Sequence, residues 1–360
     1  KEIKRIFAES CGILAIDLPS GVNGNTGEVM GYAPHADITV TFFRKKIGHL
    51  IYPGRLHAGK VIIKDIGIPD SILDFISPKI AENHNNLWLK SLPKLHPTTH
   101  KFKRGHLLIV GGEKMTGAAR LACRAARRIG SGLTTILANR KSSAVYLKGD
   151  PGNIVDVVDT LDQFQKYIHE SKSDSMIIGP GAGISHNTSQ RCLLALATSK
   201  TIILDADALS NFKGNSTCLF KSVKNKSVIF TPHEGEFLRL FSFKGDKVTR
   251  AKKAAQQSGA IIVLKGADTV IASPDGRVYI NSNAPADLGT AGSGDVLAGI
   301  IGGLTAQGVP AFDASAAGVW IHGECGKQIG PGLIAEDICE TIPIILKKIR
   351  ALQAAKIIDQ

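Results

Sequence analysis

No stretch of this 360-residue chain holds the roughly 18 consecutive apolar residues that a bilayer span requires, so no transmembrane helix is expected. The first residues, KEIKRIFAESCG, lack the apolar core of a secretory signal. Cysteine is sparse: Cys11, Cys123, Cys192, Cys218, Cys325 and Cys339 form no CxxC pair. That spacing suits neither a structural zinc site nor a disulfide framework. Free thiols in a reducing cytoplasm are the expectation. Aromatic residues amount to only 6%, and none alternate with basic clusters as a stacking platform for nucleic acid would need. We therefore expect neither a nucleic-acid nor a membrane partner, despite a formal net charge of +13. That charge would draw in anionic ligands such as nucleotides, although a generally Lys-rich composition explains it more simply. Internal repeats and low-complexity tracts are absent. The chain opens at Lys1 rather than Met, from which we expect a piece of a longer protein.

What is present is ordinary globular material, 43% hydrophobic and 21% charged, enough for one large domain or two unequal ones. GILAID (12–17), ADITVTF (36–42) and KVIIKDIGIP (60–69) read as short strands around a Gly/Asn-rich loop at 19–31. Residues 76–100 are polar and Pro-dotted, which suits a linker. A long α/β alternation follows. GHLLIVGG, LTTILAN, SMIIGPGAG, TIILDADAL, SVIFTPHEGE and AIIVLKGADTVIAS are apolar strands, most ending in Gly, Asp, His or Lys. Apolar strands separated by helical stretches such as TGAARLACRAARRIGSG point to a parallel sheet buried on both faces. RVYIN, after the turn at Pro274-Asp275-Gly276, suggests a local hairpin. Ligands of parallel sheets bind beyond the carboxyl ends of the strands, where these polar residues fall.

The most informative stretch is NSNAPADLGTAGSGDVLAGIIGGLTAQG, residues 281–308. A Gly-Ser-Gly turn at 292–294 is followed directly by Asp295 and an apolar helical segment. Glycines before a helix start let backbone N–H groups approach an anion, and the helix dipole favours negative charge there. Asp295 then stands where it would take a proton from a substrate hydroxyl beside a bound phosphate. A Gly-rich helix start with an ordinary first-turn Asp has the same appearance. Other strand ends carry weaker signals. His233 sits beside Glu234 and Glu236, and Lys265 with Gly266 suits a phosphate or a plain hairpin turn. Asp207 reads as a helix cap, and Asp205 as a buried neighbour of the site.

RGHLLIVGG, MTGAARLA, GPGAG, LDADAL, TPHEGE, LKGADT and TAGSGDVLAGIIGGL occur in an order that resembles the ADP-dependent NAD(P)H-hydrate dehydratases. AIDLPSGVNGNTGEV, ADITVTF and PGRLHAGKVIIKDIGIP resemble the last part of the NAD(P)H-hydrate epimerase domain. The two in this order resemble the bifunctional repair enzymes of bacteria. The resemblance implies a ribokinase-like three-layer α/β/α domain over 101–352, preceded by a partial Rossmann-like α/β domain over 1–75. It implies a lyase that converts (S)-NADHX or NADPHX to NAD(P)H, with ADP as phosphoryl donor, Mg²⁺ as its companion, and AMP and phosphate released.

The family's residue roles carry over as further implications. Asp295 becomes the catalytic carboxylate. Lys265, Gly266, Ala267, Asp268, Thr269 and Gly294 line the nucleotide, while Ala118, Gly183 and His233 meet the hydrate. Asp17 matches an epimerase substrate aspartate and Ser20 a potassium ligand. The Asn/Gly-rich motif that the epimerase family carries early in its domain is missing, so we expect epimerase activity only from a longer form. The variant text Asn283-Ala284-Pro285-Ala286-Asp287, where the family has Gly-Asn-Pro, leaves nucleotide contacts there open. A homo-oligomer, with a tetramer as one form, and a cytoplasmic home complete the expectation. The rival readings are a vitamin-precursor kinase on the same fold and a nucleotide-binding protein without turnover.

Overall fold

The computed structural model describes residues 12–358. The chain first builds a three-stranded parallel sheet from β1 (Leu14–Ile16), β2 (Ile38–Phe42) and β3 (Lys60–Lys64). Two short helices, α1 (Gly54–Ala58) and α2 (Ile72–Ile76), accompany it. These strands are half exposed, with Leu14 and Ile16 open to solvent.

Ten further strands form one large sheet. They are β4 (Ile80–Glu82), β5 (His106–Val110), β6 (Leu133–Ala138), β7 (Ile154–Val157), β8 (Ser175–Ile178), β9 (Thr201–Leu204), β10 (Val228–Phe230), β11 (Ile261–Leu264), β12 (Val270–Ala272) and β13 (Val278–Ile280). Their order is β4-β13-β12-β11-β10-β9-β8-β5-β6-β7. Pairings are parallel except where β12 runs antiparallel to both neighbours. The turn at 274–276 is therefore the hairpin that its sequence suggested.

Helices cover both faces, because successive strand residues point to opposite sides. Leu108, Met176, Ile178, Ile202, Leu204 and Phe230 face one way. They pack under α5 (Leu161–Glu170), α6 (His186–Leu196), α7 (Ala206–Ser210), α8 (Ser216–Val223), α9 (Glu234–Leu240) and α10 (Lys247–Ser258). Leu107, Ile109, Ile177, Ile203 and Ile229 face the other way. They meet α3 (Thr116–Ile129), α4 (Arg140–Leu147), α11 (Ser293–Ala306) and α12 (Ala311–Ile329). The last helix, α13 (Ala335–Ile358), packs outside α11 and α12. This is the expected three-layer arrangement, and it explains why the strands read as unbroken apolar runs.

Part of the stretch expected as a linker is built into the large sheet. β4 pairs with β13, and Trp88 is fully buried among residues of α11, α12 and α13. Its indole N–H donates to Asn83 at 3.0 Å, and Asn83 donates to the Ala316 carbonyl and to Asn281. The physical reason is an edge strand whose partner lies about two hundred residues away, which no local pattern reveals. Trp88→Ala should cost about 3–5 kcal/mol in denaturant unfolding. A loss below about 1 kcal/mol would return this stretch to a loosely attached tether.

Candidate active site

The carboxyl ends of the large sheet bring the polar loops together. Gly112, just past β5, has no room for a side chain: a Cβ there would lie 1.6 Å from the Gly181 carbonyl. The GPGAG loop after β8 is thereby pressed against the end of β5. Gly183 at its exit is exposed, with its N–H donating to Asp207 at 2.8 Å and its carbonyl accepting from Asn211. This corrects one expectation. Asp205 holds the position before the helix, and Asp207 anchors the Gly183 loop instead of capping.

The centre of the site is a buried ionic cluster. Lys265, at the end of β11, donates to Asp205 at 2.8 Å and lies 3.9 Å from Glu236. Burial opposes the ammonium, but Asp205 and Glu236 outweigh it and hold Lys265 above its usual value. Glu236 is pushed up by burial, against Lys265. It accepts the His233 N–H at 2.9 Å, while the His233 ring accepts the N–H groups of Gly235 and Glu236. His233 therefore starts α9 as a reciprocal cap, with its ring half exposed to the cleft.

Asp295 lies in the first turn of α11. Gly292 caps that helix at φ 84°, a left-handed value that favours glycine, and a Cβ there would stand 2.6 Å from Leu121. The turn can therefore hold the helix start tight against α3. Asp295 is pushed up to about 7, first by burial and then by Asp205, with Asp207 and Glu236 adding to it and Lys265 opposing. Gly294 is close to the cation: a Cβ on it would be 3.5 Å from Lys265 Nζ.

A cleft of about 450 Å³ opens beside this cluster. Lys265, Gly266, Ala267, Thr269, Gly294 and His233 line it, which unites six of the expected residues. Asp268 turns elsewhere. It accepts from Lys247 at 2.5 Å and from the Tyr52 N–H at 2.9 Å, so it ties its loop to α10 and to the small domain. Ala118, in the first turns of α3, is buried and off this cleft. His322, from α12, completes the lining and was not anticipated. Burial drives it down to about 4, so it is neutral, and it meets the Ser293 hydroxyl at 3.0 Å. A lone His in an apolar helix carries no signal of this placement.

The other two expected residues lie in the small domain. Asp17 accepts from Thr41 at 2.7 Å and pairs with Lys46. Although burial works the other way, these contacts hold its carboxyl below the usual range. Ser20 is exposed. Among the described residues, no group of three or more His, Cys, Asp or Glu converges as a metal cage. No described helix is long and apolar enough to cross a membrane.

A family model for NAD(P)H-hydrate dehydratase matches residues 106–343, and one for the YjeF-related protein N-terminus matches residues 1–48. Among curated relatives, the bifunctional NAD(P)H-hydrate repair enzyme of Moorella thermoacetica is 34% identical over 93% of this chain and 67% of its own length. That of Thermofilum pendens is 32% identical over 97% and 70%, and that of Escherichia coli 33% over 93% and 65%. In structure, the ADP/ATP-dependent NAD(P)H-hydrate dehydratase of Bacillus subtilis, co-crystallized with ATP/Mg²⁺, superposes with a TM-score of 0.66 at 28% identity. The match covers 75% of this chain and 98% of that one. With Lys265 and Gly294 lining the cleft and these matches along its length, the chain belongs to the NAD(P)H-hydrate dehydratase family.

Proposed function

We propose that the protein dehydrates (S)-NAD(P)H hydrate to NAD(P)H, with ADP as phosphoryl donor and AMP and phosphate as by-products. The observation that carries this reading is Asp295, a carboxylate held near neutrality at a helix start, with the cleft and Lys265 beside it. A hydroxyl at ring carbon C6 is a poor leaving group. Asp295 takes its proton as the oxygen attacks the β-phosphorus of ADP and the bond to AMP breaks. The N–H groups at 292–295 and Lys265 meet the charge on the transferring phosphoryl group. The C6–O bond of the phosphate ester then breaks, driven by the ring nitrogen's lone pair. Loss of a proton from C5 restores the dihydronicotinamide.

Mg²⁺ suits the reaction as a partner of the nucleotide's phosphates, since it keeps most of its ligands as water and phosphate oxygen. Among the described residues, the side chains supply no cage of their own. Asp17 and Ser20 we assign to the hydrate and potassium sites of an epimerase domain, with activity in a longer form. We place the domains at 1–75 and 101–352.

The test is recovery of dihydronicotinamide absorbance from purified NADH hydrate with Mg²⁺ and ADP, ATP or no nucleotide. Recovery that requires nucleotide, with AMP formed in step when ADP is supplied, is expected. Folded protein that binds ADP but restores no absorbance would end this reading, and ATP-driven phosphorylation of a stable alcohol would replace it with a kinase.

The nucleotide loop has a second handle. Arg55 of α1 donates to the Ala267 carbonyl at 3.1 Å and to the Ser282 carbonyl at 2.7 Å. Arg55→Ala should raise the KM for ADP roughly 3- to 10-fold, the worth of one or two net hydrogen bonds, with kcat little changed. Steady-state kinetics over a range of ADP concentrations checks it.

A further inference from the structure

Helix α3 carries Arg120, Arg124, Arg127 and Arg128, a spacing that places them on one stripe. The opposite stripe, Ala119, Ala122, Cys123 and Ala126, is buried toward the sheet and α11. The arginine stripe walls a groove made of three adjoining clefts. The central one, about 540 Å³, is lined by Lys101, Arg104, Arg124, Arg127 and Arg128. Through Arg124 and Asp150 it joins a cleft of about 160 Å³ at Gly117 and Arg120. Through Arg104 and Arg128 it joins one of about 300 Å³ bordered by Lys347 and Arg350. None of these residues lines the catalytic cleft.

The groove is under-neutralised. Glu340 pairs with Arg124 at 2.6 Å and with Arg128. Asp150 stands 3.8 Å from both Arg124 and Arg127, beyond hydrogen-bond reach. Asp150 and Glu336 are the carboxylates of the lining itself. Among the described residues Lys101 and Arg104 pair with no carboxylate: Arg104 donates to the Gly130 carbonyl and Lys101 lies over the Phe102 ring. Eight cations thus face three acids along one continuous depression. Guanidinium forks match phosphate oxygens two at a time. Among the described residues no aromatic ring lines the groove, so bases would have nothing there to stack on.

We propose that this groove is a second anion site that binds a polyphosphate chain, whether free or as the tail of a nucleotide. Part of the +13 net charge then has a specific place and use. The test titrates tripolyphosphate into the full chain by calorimetry at roughly 0.15 M salt. Lys101→Glu and Arg127→Gln, each with a wild-type melting temperature, should weaken binding about tenfold or more. Independently, tripolyphosphate should shield Arg104 and Arg127 of the wild type from phenylglyoxal, as read by mass spectrometry, and leave Arg55 reactive. Unchanged affinity in both variants overturns the proposal, as does shielding confined to residues outside the groove. Shielding of Arg104 and Arg127 by ATP at lower concentration than by tripolyphosphate supports a nucleotide tail as the source; the reverse supports a free chain.

Discussion

Asp295→Asn should lower the rate of ADP-driven dehydration by on the order of 10²–10⁴, the usual worth of a positioned general base, while ADP still binds. The wild-type rate should rise with pH through about 7 and level off above it, because only the ionised carboxylate accepts the proton. In the variant that limb should vanish. The same substitution should stabilise the fold. In the unfolded chain this carboxyl titrates near ~3.9, and in the folded chain near 7. The folded state therefore holds the proton more tightly. The stability contributed by the protonated form is complete below roughly pH 4 and is lost as pH rises through about 7. Asn carries no charge to bury, so its melting temperature should exceed the wild type's at pH 8, and the gain should shrink toward pH 4. Kinetics and melting curves across that range check both halves. Near-wild-type turnover of the variant would remove Asp295 from the chemistry, and a lower melting temperature at pH 8 would contradict its buried charge.

Much of this site was legible because a parallel sheet writes its functional residues at predictable places. TPHEGE and LKGADT each follow an apolar run, and both loops line the cleft. The strands themselves were legible because burial on both faces makes every residue apolar, as in Leu107–Val110. Edge strands gave no such pattern. β7, IVDV, is partly exposed, and β4 is only three residues long, joined to β13 by the fold alone. Side-chain direction was equally hidden. Asp268 sits between two cleft-lining residues, yet Lys247 and the Tyr52 N–H turn its carboxylate away. His322 reaches Ser293 only because α12 crosses α11. LDADAL marked Asp205 as a buried neighbour of the site, which its bond from Lys265 matches, but nothing in that text shows that Asp207 holds the Gly183 loop instead of capping.

Lys265→Met should be the most disruptive single change at the site. Asp205 is 1% exposed and Glu236 5%, and Lys265 is the cation that stands between them. Removing one partner of a buried pair leaves an uncompensated charge and costs about 3–5 kcal/mol, readable as a lower denaturation midpoint at neutral pH. Activity should fall too, by on the order of 10²–10³, because the ammonium no longer meets the transferring phosphoryl group. A purely structural lysine would produce the first loss without the shift that follows. Lys265 holds the Asp295 carboxyl down against its acidic neighbours. Without it, that carboxyl should ionise at a higher pH, and the residual activity should rise along a limb displaced to the alkaline side. Lys265→Arg separates the two roles: it keeps the charge but replaces a compact ammonium with a planar fork. Stability should largely return in Lys265→Arg while the rate does not, because the longer planar fork does not put its charge at the point that the ammonium holds. An unmoved pH limb in Lys265→Met would mean that the lysine shapes the fold and leaves the reacting carboxylate untouched.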